Sequence, residues 1–211
     1  MSDKPVRAVL WDFGGVITES PFVAFARHER ETGLPDGFIR MLNTRNPDTN
    51  AWARFERSEI DLDAFCPLFE AEALEAGHRL DGRAVVALLA GPVRPEMVGA
   101  LRRLRDRYRI GCLTNNVRSA ARPPEQARAV AEAMSLFHAV IESSKVGVRK
   151  PEPRFYEIAC EALGVAPDEA VFLDDLGVNL KTARAMGMRT IKVERASQAL
   201  GELESVLGHP V

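Results

Sequence analysis

Arg7-Ala-Val-Leu-Trp-Asp-Phe-Gly-Gly-Val-Ile-Thr18 is the stretch on which the fold turns. The apolar run Ala8–Trp11 ends on a single carboxylate, Asp12, and two glycines follow almost at once. Such a run reads as a buried parallel strand, and the glycines let the backbone bend sharply where the strand stops. In open α/β sheets, ligands bind at the carboxyl ends of the strands. An aspartate there, backed by the N–H groups of a glycine turn, is placed to attack or coordinate an anionic ligand. Position 14 is glycine, where a second carboxylate would make the site far more explicit.

Working outward, strand-like runs recur at Ile110–Thr114, Ala139–Ile141, Ala170–Leu173 and Thr190–Val193. Helical patterns separate most of them. Met97–Arg107 carries an apolar stripe, Arg154–Leu163 stops at Gly164, and Leu180–Met186 stops at Gly187. Strands alternating with helices predict an α/β fold, a Rossmann-like doubly wound parallel sheet. The rhythm breaks between Pro21 and Leu89, where Phe22–Thr32, Phe38–Leu42, Ala51–Ser58, Leu62–Ala76 and Ala84–Leu89 all read as helix. This block predicts a small all-helical cap inserted after the first strand, over 19–92, with the core formed by 1–18 and 93–211. Leu88–Pro95 would be the return hinge, and Arg122-Pro-Pro-Glu125 reads as an irregular surface loop.

Composition narrows the function. With 211 residues, 27% charged and a formal net charge of −2, the chain has no bulk field to hold nucleic acid or an anionic membrane. No apolar run reaches transmembrane length and the N-terminus has no signal-like core. Cys66, Cys112 and Cys160 form no paired motif and read as reduced thiols of a cytoplasmic protein. Within the Arg102–Arg107 cluster, Leu101, Leu104 and Asp106 fit a solvated helix face rather than a nucleic-acid patch. Its four histidines show no ligand spacing. A monomer or homodimer is the expectation.

Three further points converge on Asp12 if the sheet is built this way. Leu113-Thr-Asn-Asn116 ends the second strand with a hydroxyl and amides, and Arg149-Lys-Pro-Glu-Pro153 holds Lys150 before a proline. Val171-Phe-Leu-Asp-Asp-Leu-Gly-Val-Asn179 ends a strand with paired carboxylates. Carboxylate, hydroxyl, ammonium and a carboxylate metal site together match phosphoryl transfer, because Mg²⁺ prefers carboxylate oxygens and cations stabilise the transferring group.

The order of these points, with the phrases Trp52-Ala-Arg-Phe-Glu-Arg-Ser-Glu-Ile60 and Lys145-Val-Gly-Val-Arg-Lys-Pro-Glu-Pro153, resembles the haloacid dehalogenase superfamily. The resemblance runs from Val6 to Val193. It is closest to the branch with the phosphatase domain of soluble epoxide hydrolases and the N-terminal domains of some acyl-CoA dehydrogenases. It implies that Asp12 is the nucleophile, forms an aspartyl-phosphate and binds Mg²⁺, with the Gly14 carbonyl as another metal ligand. It implies that Thr114 and Asn115 hydrogen-bond the phosphoryl group and that Lys150 pairs with it and with Asp12. Asp175 would be the carboxylate metal ligand, Asp174 its support, and Asn179 a group orienting metal-bound water. The resemblance also implies a small phosphorylated metabolite as the partner.

Gly14 departs from that pattern, since the phosphatases of the superfamily usually place a second Asp there as general acid and base. General acid–base help contributes about 10²–10⁴-fold. His28, Glu56 or Glu59 of the helical block could supply it, and the sequence does not choose among them. Taken singly, Asp12 could be a turn former, Asp174-Asp175 a helix cap, and Lys150 a solvated lysine; their common order argues for the site. Lys145 and Arg149 read as surface charges, and Trp11 as core beneath the site. Two other readings stay open: a metal-free hydrolytic dehalogenase of small halo-acids, and a catalytically degenerate binding module.

Overall fold

The computed structural model describes residues 4–117 and 123–211. Five strands form one parallel sheet in the order β3-β2-β1-β4-β5: β1 Ala8–Trp11, β2 Arg109–Thr114, β3 Ala139–Glu142, β4 Ala170–Asp174 and β5 Arg189–Lys192. The first strand is central, paired with β2 on one side and β4 on the other. That placement explains its unbroken apolar run, because a parallel strand covered on both faces has no side for water. The side chains alternate: Val9 and Trp11 enter one core layer, Ala8 and Leu10 the other.

Helices α6 (Pro95–Leu104), α7 (Pro124–Ser135) and α11 (Ala196–Leu207) cover the first face. They contribute Met97, Leu101, Leu104, Ala133 and Leu203 to its core. The opposite face is covered by α9 (Pro153–Leu163) and α10 (Gly177–Ala185), through Phe155, Tyr156, Leu163 and Leu180. A one-turn helix, α8 (Ser143–Val146), follows β3.

Helices α7 and α11 are absent from the sequence expectation. Most of α7 is solvent-facing: Ala133 is buried and Val130 and Met134 pack partly against the core, a narrow inward face. The expected loop at Arg122–Glu125 is corrected in part. Pro124 and Glu125 open α7, where proline suits the first helical turn, while Arg122 lies outside the described residues.

Between β1 and α6 the chain forms five helices: α1 Pro21–Thr32, α2 Phe38–Thr44, α3 Ala51–Glu56, α4 Leu62–Glu75 and α5 Gly82–Ala87. They bury their own core around Phe25, Phe38, Trp52, Phe55, Phe65 and Phe69. Asn50 and Asp61 accept hydrogen bonds from Ala53 N and Ala64 N, capping α3 and α4. The block joins the sheet through two adjacent strands of chain, with Arg94 N donating to Ile17 O at 2.8 Å and Glu19 N to Pro92 O at 2.9 Å. No helix among the described residues is long and apolar enough to cross a membrane.

Candidate active site

Strand register brings the site together. Trp11 pairs with Cys112 of β2 and Leu173 of β4, so Asp12, Thr114 and Asp174 all emerge at the same carboxyl edge. Asp12 N donates to Leu173 O at 2.8 Å, which extends the ladder one residue past β1. The next turn, Phe13–Ile17, reverses through Gly15 at φ +81, a left-handed conformation that costs an L-residue about 1–2 kcal/mol. A Cβ on Gly15 would fall 2.2 Å from Asp175 Oδ2, so the second glycine also makes room for that carboxylate.

Lys150 is the centre of charge. Its Nζ lies 2.8 Å from Asp12 Oδ1 and 2.7 Å from Asp174 Oδ2, with only 1% of its side chain exposed. Burial pulls its pKa down, but Asp12 and Asp174 more than offset this and hold the ammonium above the usual lysine range. An isolated lysine would not be buried like this. Asp12 is pushed well above the usual carboxylate range, first by burial and then by Asp174 and Asp175, against the pull of Lys150. Burial, with Asp174 alongside, raises Asp175 to about 6.

Oxygen atoms of Asp12, Asp174 and Asp175 lie within 4.8 Å of one another, the hard-oxygen donor set that suits a divalent cation. Three carboxylates face one ammonium, an excess of two negative charges when all are ionised, and a dication matches that excess.

The three acids are not equivalent. Asp174 is fully buried and its oxygens accept from Leu176 N, Lys150 Nζ and Asn179 Nδ2. Asp12 Oδ1 accepts from Phe13 N at 2.6 Å and from Lys150, whereas Oδ2 accepts nothing among the described residues. Asp175 accepts from Ser20 at 3.2 Å. Asp12 and Asp175 therefore keep open oxygens, and Asp174 is spent orienting Lys150.

Two side-chain amides of the site are engaged within the protein. Asn179 Nδ2 donates to both oxygens of Asp174, which holds that carboxylate in place. The Asn115 side chain clamps the backbone of Lys150: Oδ1 accepts from Lys150 N at 2.9 Å and Nδ2 donates to Lys150 O at 3.0 Å. Thr114 and Gly14 line the same cavity as Asp12, and Trp11 lies fully buried beneath it.

The cavity measures about 1240 Å³ and lies between the helical block and the sheet edge. Aromatic and cationic groups from the block, Phe22, Phe25, Trp52 and Arg40, line it together with Asp12 and Thr114 of the sheet edge and Lys150 of the segment between α8 and α9. Of the three residues open to replacing a general acid, only Glu56 lines it. Glu59 is held below the usual carboxylate range by its bond to Arg57, and His28 lies elsewhere on α1. Position 14 is open: a Cβ there would meet no atom within 4 Å, and φ −71, ψ 126 suits any residue.

Sequence reasoning assigned no role in this geometry to Arg149 or Ser20. Arg149 is no free surface charge, since it pairs with Glu56 at 2.6 Å and its side chain is 14% exposed. Lys145, by contrast, is exposed and pairs with Glu142.

Residues 6–187 match the haloacid dehalogenase-like hydrolases. The chain belongs to that family. It is 33% identical to Bifunctional epoxide hydrolase 2 of Sus scrofa, across 96% of this chain and 39% of that protein. It is 31% identical to Phosphatase MT3486 of Mycobacterium tuberculosis, across 92% of this chain and 89% of that one. The chain spans 20% to 39% of the length of the animal relatives it matches. Among solved structures, it shares its fold with an enzyme of the same family from Bacteroides thetaiotaomicron, crystallised with magnesium and inorganic phosphate. The TM-score is 0.61 and the identity 19%, over 94% of this chain and 98% of that one. The protein is therefore a hydrolase of this family with phosphatases among its relatives, built on the α/β fold expected of it.

Proposed function

We propose that this protein hydrolyses a small phosphomonoester by way of an aspartyl-phosphate on Asp12, and that residues 19–92 act as a cap over a core formed by 1–18 and 93–211. The observation that carries the reading is the buried Lys150 ammonium between Asp12 and Asp174, at 2.8 and 2.7 Å, while Asp12 Oδ2 accepts no hydrogen bond among the described residues. Asp12 Oδ2 attacks phosphorus in line with the leaving oxygen, while Lys150 and the Thr114 hydroxyl take up charge on the equatorial oxygens. Asp174 and Asn179 hold Lys150 in place, and Asn115 holds its backbone.

Mg²⁺, when bound by Asp12 and Asp175 with the Gly14 carbonyl, would neutralise charge on the transferring group. Water then attacks phosphorus and breaks the bond to Asp12 Oδ2, releasing inorganic phosphate and restoring the carboxylate, while a water proton goes to the oxygen expelled in the first step. Closure of the helical block would exclude bulk water and select the ester's organic part through the aromatic wall of the cavity. The three free cysteines suit a reducing cytoplasm.

The carboxylate cluster disfavours a metal-free dehalogenase, because the Lys150 ammonium alone leaves two of its negative charges unneutralised. The test is p-nitrophenyl phosphate turnover with Mg²⁺, with EDTA, and in Asp12→Asn. Turnover lost under the last two conditions supports the mechanism. Turnover that survives Asp12→Asn, or is absent throughout, refutes it.

A further inference from the structure

Glu56 closes α3, where the helix's terminal carbonyls disfavour a carboxylate, yet it is buried, 7% exposed. Polar groups from both sides of the cavity converge on it. Trp52 Nε1 donates to Oε1 at 2.9 Å, and Asn115 Nδ2 donates to Oε2 at 3.3 Å. Arg149 Nε lies 2.6 Å from Oε2, an ion pair whose N–H is not aimed along the contact. Arg149 reaches the helical block a second time, through Nη1 to Pro47 O at 2.8 Å. An acid must present a free oxygen to a leaving group, and both of Glu56's are engaged.

The contacts continue without a gap to the reacting carboxylate. Asn115 grips both the N–H and the carbonyl of Lys150, and Lys150 Nζ meets Asp12 at 2.8 Å. Arg149 and Lys150 are consecutive, so one short segment is tied to the helical block by its first residue and to the sheet edge by its second.

We propose that Glu56 and Arg149 form a latch, in which seating of the helical block fixes the Lys150 backbone and thereby its ammonium against Asp12. Glu56 is thus a positioning residue. The inference rests on Asp12 and Lys150 carrying out phosphoryl transfer, and it adds that their alignment is set by the block that covers them. Substrate that draws the block down also completes the charge arrangement, whereas a displaced block leaves Lys150 less well aligned.

The experiment compares wild type with Glu56→Gln, Arg149→Met and the double variant. It reads p-nitrophenyl phosphate kinetics with Mg²⁺ and hydrogen exchange at the Lys150 amide. Glutamine keeps an oxygen for Trp52 and removes the charge that holds Arg149. In Glu56→Gln the Lys150 amide should exchange about tenfold faster, with distant core amides unchanged. The kcat should fall about 10- to 100-fold, the range a small misalignment produces, with KM shifted less than about threefold. The double variant should be no slower than the slower single one, because both break the same latch. Glu56→Gln carries the test alone if Arg149→Met does not fold. Unchanged Lys150 exchange in Glu56→Gln overturns the latch whatever the kinetics. A wild type inactive on p-nitrophenyl phosphate refutes the phosphatase reading instead, and the exchange result still decides the latch.

Discussion

Position 14 offers the sharpest test of the chemistry. A Cβ there meets nothing within 4 Å, its backbone sits in the broad β region, and the residue lines the cavity beside Asp12. Gly14→Asp should therefore fold as the parent does. Replacing glycine where the conformation suits other residues stabilises by about 0.4–1 kcal/mol, so the melting temperature with Mg²⁺ should stay within about 4 °C. The new carboxyl stands beside a cluster already carrying three, and their charge raises its pKa, the direction a general acid needs.

General acid help is worth about 10²–10⁴-fold, and only esters with poor leaving groups need much of it. Glycerol phosphate should gain about 100-fold in kcat/KM, while p-nitrophenyl phosphate, whose leaving group departs unaided, should change less than about threefold. The assay is the ratio of those two values in the variant over the same ratio in wild type. A ratio near one, in a folded variant that still binds Mg²⁺, would refute the claim that position 14 faces the leaving group and that an acid is missing there.

Two further outcomes follow from the same geometry. Lys150→Met leaves two buried carboxylates without their cation, a loss of about 3–5 kcal/mol, so its melting temperature should drop by roughly 6–20 °C and turnover should vanish. A drop under about 2 °C would show that the pair is not buried as described. Gly15→Ala must adopt φ +81 and drive its methyl into Asp175. Calorimetry should show Mg²⁺ affinity lowered at least about tenfold, the effect of displacing one ligand, and unchanged affinity would exclude Asp175 from the metal site.

Local sequence was enough to place the strands, because a buried parallel strand cannot hide its apolar run or the polar residue that ends it. Asp12, Thr114 and Asp174 were legible for that reason, and each stands where its strand stops. The five helices before α6 were legible from their periodicity and capping residues. Helix α7 was not, since Pro123-Pro124 reads as loop although the second proline opens the helix, and its inward face is only Val130, Ala133 and Met134. Residue type also exposed the departure at Gly14, though not that the space in front of it is open.

What the sequence could not determine is how polar atoms divide their partners, because that depends on distances between segments far apart in the chain. Asp174 and Asp175 are neighbours of the same type, yet one is spent on Lys150 and Asn179 while the other faces Ser20 and Gly15. Asn115 binds backbone atoms 35 residues away, and Arg149 finds Glu56 across the cavity. A chain composition can supply a carboxylate and a guanidinium. Only the packing of α3 over the sheet edge removes water from between them and makes the contact matter.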